Sequence, residues 1–332
     1  MKKSSLPRIA VIGAGHMAFD VHLPSQQHLA KNGQSVLAAV CDLNGGAAAK
    51  AAREFGAGAS YTDIDEMLSV EKPDGVIVIM PVPVTARVAS AVLKKGYPVL
   101  MEKPPGASAK ECRALIAAAK KGRAPNMVAF NRRYCPVIVQ GKQEVAKRGA
   151  IKGASARMFR HKRDEDDFFF GTGIHSLDAL RFLGGDIDSI ETDCRTLAKV
   201  ERPAIHLFIN YKSGAAGTLT IRPQCGVQLE RYEVFGNECM ALMHGGIQWL
   251  VDAPGSCTLY ERNTLIKLPD PLAAAEKAKG KLAAAISGGF YGENVAFVAA
   301  LNGNGKFSPT LEEALQSVEI AEAVRAGKNW KR

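Results

Sequence analysis

The sequence contains no apolar run that approaches the ~20 residues needed to cross a bilayer. It also has no C-x-x-C pair, although seven cysteines are scattered along the chain. An odd number of widely spaced cysteines suggests neither a disulfide framework nor a zinc site, and it is typical of reduced thiols in a cytoplasm. We therefore expect a cytoplasmic protein without a membrane partner or a bound metal.

Patterns typical of nucleic-acid binding are missing as well. The net charge is +10 and the basic residues form small clusters, but no helix-turn-helix, finger or RNP-like pattern accompanies them. A basic surface of this kind also suits an anionic cofactor or substrate, so no nucleic-acid partner is expected. The N-terminus resembles a signal peptide, but Gly13 and Gly15 interrupt its apolar run and no convincing cleavage site follows. We expect a solvated tail before residue 8.

A glycine-rich turn follows the first predicted strand. The strand covers residues 8–12, the turn has the pattern G-x-G-x-x-A, and residues 19–31 carry a helical pattern. Gly13 can make the tight turn, and Gly15 lets the backbone approach a pyrophosphate. Because a helix N-terminus offers unpaired N–H groups to phosphates, this stretch predicts a dinucleotide site.

The second predicted strand, residues 35–41, leads to Asp42. An acidic residue at this distance from the glycines typically binds the adenosine ribose hydroxyls. A carboxylate repels a 2′-phosphate and no arginine follows immediately, so NAD is favoured over NADP. Alternatively, Asp42 is the N-cap of a helix over residues 43–55, which would turn the carboxylate away from the ribose.

Strand and helix keep alternating up to residue 131, which predicts a doubly wound parallel sheet. A strand over residues 98–101 stops at Glu102 and Lys103, which precede two prolines that neither continue a helix nor donate to a sheet. Ligands of such sheets bind outside the carboxyl ends of the strands, so Lys103 is predicted to be a fixed ammonium where substrate meets cofactor. The alternative is a solvated Lys–Glu pair that ends a strand.

Beyond about Tyr134 the pattern changes to consecutive strands joined by short turns. This change predicts an α+β domain with an open, mostly antiparallel sheet. We place a dinucleotide-binding Rossmann domain over residues 1–131 and a substrate-binding domain over residues 132–332. The predicted strands of the second domain are 151–161, 187–197, 204–211, 215–222, 228–235 and 239–244.

A second chemical stretch, G-T-G-I-H-S-L-D, opens a predicted helix that ends at Leu183. His175 and Asp178 share one face near its N-terminus. A histidine there can exchange a proton with a substrate hydroxyl while its neighbour fixes the tautomer, although a capping or core histidine is the alternative. Upstream, Arg160 and Arg163 are candidates for binding a carboxylate or phosphate on the substrate, although alternate positions of a strand should face away.

Six segments in this order resemble the Gfo/Idh/MocA oxidoreductases, a family named after glucose-fructose oxidoreductase, inositol dehydrogenase and a rhizopine-catabolism protein. The segments are VIGAGHMA, CDLN, TDIDEML, PDGVIVIMP, GYPVLMEKPP and FNRRY. The resemblance covers essentially the whole chain, and E-K-P is its most specific motif because the family's lysine sits beside the nicotinamide. It implies hydride transfer between nicotinamide and a sugar, polyol or sugar-acid carbon. It also implies a cis peptide bond after Lys103 and a homodimer or homotetramer formed through the outer face of the second sheet.

The resemblance also assigns roles to individual residues. His175 would take the hydroxyl proton with support from Asp178, and Lys103 would orient the hydroxyl or share the proton transfer. The expected cofactor contacts are Gly13, Gly15, His16, Met17, Asp42, Pro81, Glu102 and Lys103. The expected substrate contacts are Lys103, Asn131, Tyr134, Arg160, Arg163 and His175.

The sequence departs from the family pattern at two positions. Gly171 stands four residues before the histidine, where many relatives have aspartate, and Thr85 replaces a common histidine. Three interpretations of Gly171 stay open: His175 acts alone, a nearby carboxylate (Glu165, Asp166 or Asp167) replaces the aspartate, or the site has lost its chemistry. A non-catalytic dinucleotide or sugar sensor of the same fold is therefore the alternative to an enzyme.

Overall fold

The computed structural model describes residues 6–195 and 204–332, which form two compact units. The first unit consists of the chain up to Phe130 together with Gly280–Ala285 and Phe290–Gln316, and the second of Asn131–Lys279, Ile286–Gly289 and Ser317–Arg332. The sequence-based division kept all of 132–332 together. In the structure, two of these later segments, Gly280–Ala285 and Phe290–Gln316, belong to the first unit.

A six-stranded parallel sheet forms the centre of the first unit. Its strands are β1 (Arg8–Ile12), β2 (Val36–Cys41), β3 (Ala59–Tyr61), β4 (Gly75–Val78), β5 (Val99–Met101) and β6 (Asn126–Val128). They lie in the order β3-β2-β1-β4-β5-β6. The strand β4 is buried at every position, as expected for a continuous apolar run covered on both faces. The strand order reverses at β1, so the predicted doubly wound sheet is confirmed, and β1 and β4 border its ligand-binding crevice.

Five helices connect these strands: α1 (Leu23–Lys31), α2 (Gly45–Phe55), α3 (Ile64–Glu71), α4 (Val82–Lys94) and α5 (Ala109–Gly122). The predicted helix over 19–31 is a π-helical turn, Ala18–His22, that continues into α1. The alternative role of Asp42 as an N-cap is wrong. The side chain of Asn44 caps α2 by accepting a hydrogen bond from the N–H of Ala47 at 3.1 Å.

A nine-stranded mixed sheet forms the second unit. Its strands are β7 (Gly153–Phe159), β8 (Ile187–Arg195), β9 (Ala204–Tyr211), β10 (Ala216–Arg222), β11 (Leu229–Phe235), β12 (Cys239–His244), β13 (Ser256–Glu261), β14 (Thr264–Ile266) and β15 (Trp330–Lys331). They lie in the order β14-β13-β12-β11-β7-β10-β9-β8-β15. Among the described residues of this second sheet, only β7 and β10 pair in parallel, so the mostly antiparallel sheet is confirmed. The last two residues of the predicted strand 187–197 lie outside the described residues, as do residues 1–5 of the predicted tail.

The remaining helices are α6 (Pro136–Ala146), α7 (Ile174–Gly184), α8 (Ala273–Lys277), α9 (Gly280–Ser287), α10 (Phe290–Leu301) and α11 (Leu311–Arg325). In the second unit, α6 packs on β12 and β13, and α7 packs on β7. In the first unit, α10 packs against α1. A reciprocal capping box begins α11, because Thr310 Oγ1 accepts from the N–H of Glu313 and Glu313 Oε2 accepts from the N–H of Thr310. None of the helices in the described ranges combines the length and apolarity of a membrane span.

Candidate active site

The glycines of the turn after β1 let its backbone lie close to a neighbouring segment on one side and leave open space on the other. Gly13 has a φ of 100°, and a Cβ on it would lie 2.0 Å from the carbonyl oxygen of Ile79, so only glycine fits. No atom lies within 4 Å of the position that a Cβ on Gly15 would take. His16 is exposed and Met17 is half-buried. The open side of this turn fits a pyrophosphate held by backbone N–H groups.

Asp42 is anchored at both carboxylate oxygens. Its Oδ2 accepts from the N–H of Ala14 at 2.7 Å, and its Oδ1 accepts from the N–H of Asn44 at 2.8 Å. Each oxygen keeps a second lone pair, so the fixed carboxylate can still accept from ribose hydroxyls. The next residue, Leu43, is 89% exposed, and the sequence analysis did not include it among the candidate site residues. A large apolar residue directly after the acidic residue is the sequence pattern that could have identified Leu43.

The Glu102–Lys103 segment ends β5 in the first unit. The peptide bond between Lys103 and Pro104 is cis, as expected. Glu102 is 8% exposed, so the alternative of a solvated Lys–Glu pair is wrong for the glutamate. Its Oε2 accepts from the N–H of Lys103 at 3.1 Å, and its Oε1 lies 3.0 Å from Nε2 of His22.

The carboxyl group of Glu102 is held in its charged form. Burial raises its pKa, but the hydrogen bond with His22 and the charge of Lys103 outweigh burial and lower the pKa below its ordinary value. The same attraction stabilises the ammonium of Lys103, because the interaction between two charges is mutual. At the end of β4, Pro81 is exposed, and its carbonyl oxygen accepts from the buried Thr85 hydroxyl at 3.1 Å.

In the second unit, His175 is the second residue of α7 and is 7% exposed. Asp178, one turn later, is fully buried and binds Arg133 through two hydrogen bonds, with Nε to Oδ2 at 2.7 Å and an Nη to Oδ1 at 2.9 Å. The hydroxyl of Ser317 also donates to its Oδ1. A bidentate pair of this kind is strong and geometrically specific. Asp178 therefore holds Arg133 against α7, and its support of His175 stays a prediction.

Two of the expected substrate contacts, Asn131 and Arg160, instead hydrogen-bond to other residues of the second unit. Asn131 is fully buried, donating to the carbonyl of Gly288 at 2.7 Å and accepting from Arg132 at 2.9 Å. Arg160 is 1% exposed and hydrogen-bonds to the buried Glu230. Burial and these partners argue against a substrate contact by either residue. The alternation of a strand could not show this, because it does not reveal which face is covered.

Tyr134 and Arg163 stay candidates for substrate contact because both side chains are only partly buried. Arg163 donates to Glu165 and, at 3.1 Å, to the hydroxyl of Thr172, three residues before His175. Its guanidinium also lies 5.0 Å from the ring centre of Phe168. Arg163 thus braces the turn that leads into α7.

Gly171 stands in open space within the π-helical turn Phe169–Gly173. No atom lies within 4 Å of the position that a Cβ would take there, so an aspartate side chain would fit. The three carboxylates that could substitute for one already have partners: Glu165 binds Arg163, Asp167 lies 3.4 Å from Arg325, and Asp166 has an interaction of its own. Within the described ranges, no group of three or more histidine, cysteine or acidic side chains could hold a metal ion.

Known proteins resemble this chain in sequence and in fold. The chain is 22% identical over 232 residues to the rhizopine catabolism protein MocA of Rhizobium meliloti, covering 64% of this chain and 70% of that protein. It is 31% identical over 185 residues to inositol 2-dehydrogenase 2 of Saccharopolyspora erythraea, covering 53% of each. It therefore spans about half the length of the second relative. A structure of levoglucosan dehydrogenase in complex with NADH and L-sorbose has a TM-score of 0.81 at 17% identity, over 98% of this chain and 99% of that one, which shows a shared fold.

Two family models match the chain in sequence order. Residues 7–130 match the Gfo/Idh/MocA oxidoreductase family, NAD-binding Rossmann fold, and residues 157–330 match its C-terminal alpha/beta domain. The matches include the glycine turn, Glu102–Lys103 and the helix of His175. The chain therefore belongs to the Gfo/Idh/MocA family of oxidoreductases.

Proposed function

We propose that this oxidoreductase transfers a hydride between nicotinamide and a carbon of a sugar, polyol or sugar acid. The observation that carries the proposal is the buried Glu102 bonded to the backbone of Lys103, at the carboxyl end of β5 in a unit whose glycine turn leaves room for a pyrophosphate. Relatives named inositol 2-dehydrogenase, D-apiose dehydrogenase and D-glucoside 3-dehydrogenase support this substrate class.

The cofactor proposed for this site is NAD, with NADP as the alternative. When bound, the nicotinamide supplies the hydride acceptor or donor. Gly13, Gly15, His16 and Met17 hold the pyrophosphate, and the anchored carboxylate of Asp42 accepts from the ribose hydroxyls and repels a 2′-phosphate. The exposed side chain of Leu43 offers the adenine an apolar surface. Pro81, Glu102 and Lys103 lie toward the nicotinamide end of the site.

In this mechanism His175 and Lys103 share the proton chemistry. As the alcohol is oxidised, an imidazole nitrogen of His175 takes the hydroxyl proton, and in reduction it returns that proton. The Nζ of Lys103 donates a hydrogen bond to the reacting oxygen and stabilises the negative charge that develops on it. Arg163 is the remaining candidate for binding an anionic group of a sugar acid, and Tyr134 for binding a hydroxyl.

We further propose a cytoplasmic homodimer or homotetramer that associates through the outer face of the nine-stranded sheet. Large apolar side chains on strands of this sheet are exposed, with Phe208 56%, Tyr260 41% and Leu265 63% accessible. Exposed apolar side chains on a sheet are the residues that a subunit interface would cover. The second candidate function, a non-catalytic dinucleotide or sugar sensor, is favoured by Gly171 and by the net charge of +10.

The proposed activity is tested by nicotinamide turnover on a panel of polyols, aldoses, ketoses and sugar acids, with NAD(H) and NADP(H). We expect turnover that prefers NAD at least tenfold and falls by about 10²-fold or more in both the Lys103→Ala and His175→Ala proteins. Lys95→Ala, which removes an exposed ion pair with Asp65, is the matched control. Turnover that survives both site changes would contradict the assignment, and NAD binding without turnover would favour the sensor.

The Gly171→Asp substitution is expected to fold normally and to raise kcat/KM by about tenfold, because a carboxylate one turn before His175 can share its proton. The added side chain meets open space, so the free energy of unfolding should change by less than about 1 kcal/mol. Steady-state kinetics and urea denaturation measure the two effects. Gly171→Asn has the same shape without the charge, and an equal gain in that protein would show that charge is not the cause.

A further inference from the structure

A chain of buried polar side chains runs through the first unit from α1, by way of α10, to the end of β5. The amide nitrogen of Gln26 donates to Oδ1 of Asn294 at 2.9 Å, the Nδ2 of Asn294 lies 3.1 Å from Nδ1 of His22, and Nε2 of His22 lies 3.0 Å from Glu102. Gln26, His22 and Asn294 are fully buried. Buried polar groups are costly unless they are hydrogen-bonded, so a connected chain of this kind holds its members in fixed positions.

The partners of Asn294 determine where the proton of His22 resides. The Nδ2 of Asn294 also donates to the carbonyl oxygen of Phe290 at 2.8 Å, which can only accept, so the amide cannot be reversed. An amide nitrogen donates and does not accept, so Nδ1 of His22 is the acceptor of the second Nδ2 hydrogen. The imidazole is therefore neutral with its proton on Nε2, and that N–H donates to Oε1 of Glu102.

The neutral tautomer has a consequence for Lys103. A neutral N–H donor fixes the Glu102 carboxylate without bringing a second positive charge to it. The negative charge of Glu102 is then left to act on Lys103, whose backbone N–H binds its other oxygen at 3.1 Å. An imidazolium at His22 would instead compete with Lys103 for the same carboxylate.

We propose that His22 is a positioning residue for the reaction: its Nε2–H orients Glu102, and Glu102 orients the ammonium of Lys103. This inference rests on the proposed function, since it assumes that Lys103 contacts the substrate. His22 is the last residue of the π-helical turn Ala18–His22, which begins directly after the residues of the glycine turn. One continuous segment therefore supplies both the pyrophosphate cradle and the residue that orients Glu102.

Three substitutions separate positioning from a merely structural role. His22→Leu removes the donor, and His22→Gln restores an N–H donor at a similar reach. Asn294→Asp is isosteric but offers His22 only acceptors, which favours a doubly protonated ring. His28→Gln is the control, because His28 lies on α1, which continues from the turn of His22, and bonds to Asn32 on the exposed side of that helix.

We expect His22→Leu and Asn294→Asp to lower kcat by at least thirtyfold while KM and the Kd for NAD change by less than threefold. We expect His22→Gln to recover kcat to within tenfold of the unmodified protein. Loss of kcat that is equal in His22→Leu and His22→Gln, with both proteins folded by circular dichroism, would overturn the proposal, as would an effect of similar size in the control.

A measurement on the cofactor-free protein keeps this inference separate from the proposed function. Long-range ¹H–¹⁵N spectra of the imidazoles should show His22 as the neutral tautomer with its proton on Nε2, and as a doubly protonated ring in Asn294→Asp. A proton on Nδ1 in the unmodified protein would overturn the proposal whether or not turnover is found. Failure to find any substrate, with the expected tautomers observed, would instead count against the function assigned to Lys103.

Discussion

Replacing Lys103 with methionine is expected to lower kcat by a factor of about 10²–10⁴ while the Kd for NAD changes by less than about threefold. Methionine keeps most of the length of the side chain and removes its charge. The change removes the hydrogen bond and the positive charge that stabilise the reacting oxygen, which are needed mainly in the transition state. Steady-state kinetics with saturating cofactor measure kcat, and displacement of fluorescent bound NADH by NAD measures the Kd for NAD.

The control for this prediction is Lys95→Met, because Lys95 carries the same charge but pairs with the exposed Asp65 at 2.9 Å. Lys103→Arg adds a further comparison, since it keeps the charge but replaces a compact ammonium by a planar guanidinium. We expect kcat of this protein to fall between those of the methionine variant and the unmodified protein. A kcat for Lys103→Met within threefold of the unmodified value would remove Lys103 from the mechanism.

Local patterns in the sequence were sufficient for the parts of the site whose geometry is local. The positive φ of Gly13 follows from a strand that must turn at once, and the cis bond after Lys103 was expected from E-K-P. In each case the residues that fix the geometry are neighbours in the chain, so one segment contains the whole signal.

Contacts between distant segments were not predictable in the same way. Arg133 and Asp178 are 45 residues apart, and Gln26 and Asn294 are 268 apart, so neither pairing leaves a pattern in any single segment. For the same reason the return of α10 to the first unit was missed. The strands β13, β14 and β15, the last two of which form the edges of the sheet, were not predicted because pairing with neighbouring strands, rather than alternation in their own sequence, gives them their order.

Arg160 belongs to a basic cluster from which the sequence analysis predicted an anionic ligand. The structure shows that Arg160 instead pairs with a carboxylate inside the protein. Arg160 follows the last residue of β7, and β11 runs antiparallel beside it. This pairing brings Glu230 against both Arg160 and Arg132, and the hydroxyl of Tyr232 donates to the same carboxylate at 2.7 Å. Glu230 and Tyr232 are fully buried. We therefore expect this cluster to contribute to the stability of the second unit rather than to bind a ligand.

The Glu230→Gln substitution is expected to lower the free energy of unfolding by about 3–5 kcal/mol, because it leaves two buried guanidinium groups without a counter-charge. Burial raises the pKa of Glu230, but the charges of Arg132 and Arg160 outweigh burial and hold the pKa well below its ordinary value. A carboxylate with a lowered folded-state pKa contributes its full stability above the unfolded-state value of about 4.3 and loses it as the pH falls toward the folded-state pKa. Urea denaturation at pH 7 should therefore show the full difference between the two proteins, and the difference should shrink below about pH 4.

The control is Glu233→Gln on the same strand. Its partner Arg157 is 54% exposed, so the substitution should lower the free energy of unfolding by less than about 1 kcal/mol. Equal losses in the two variants would show that the buried charge of Glu230 has no special part in holding the second unit together.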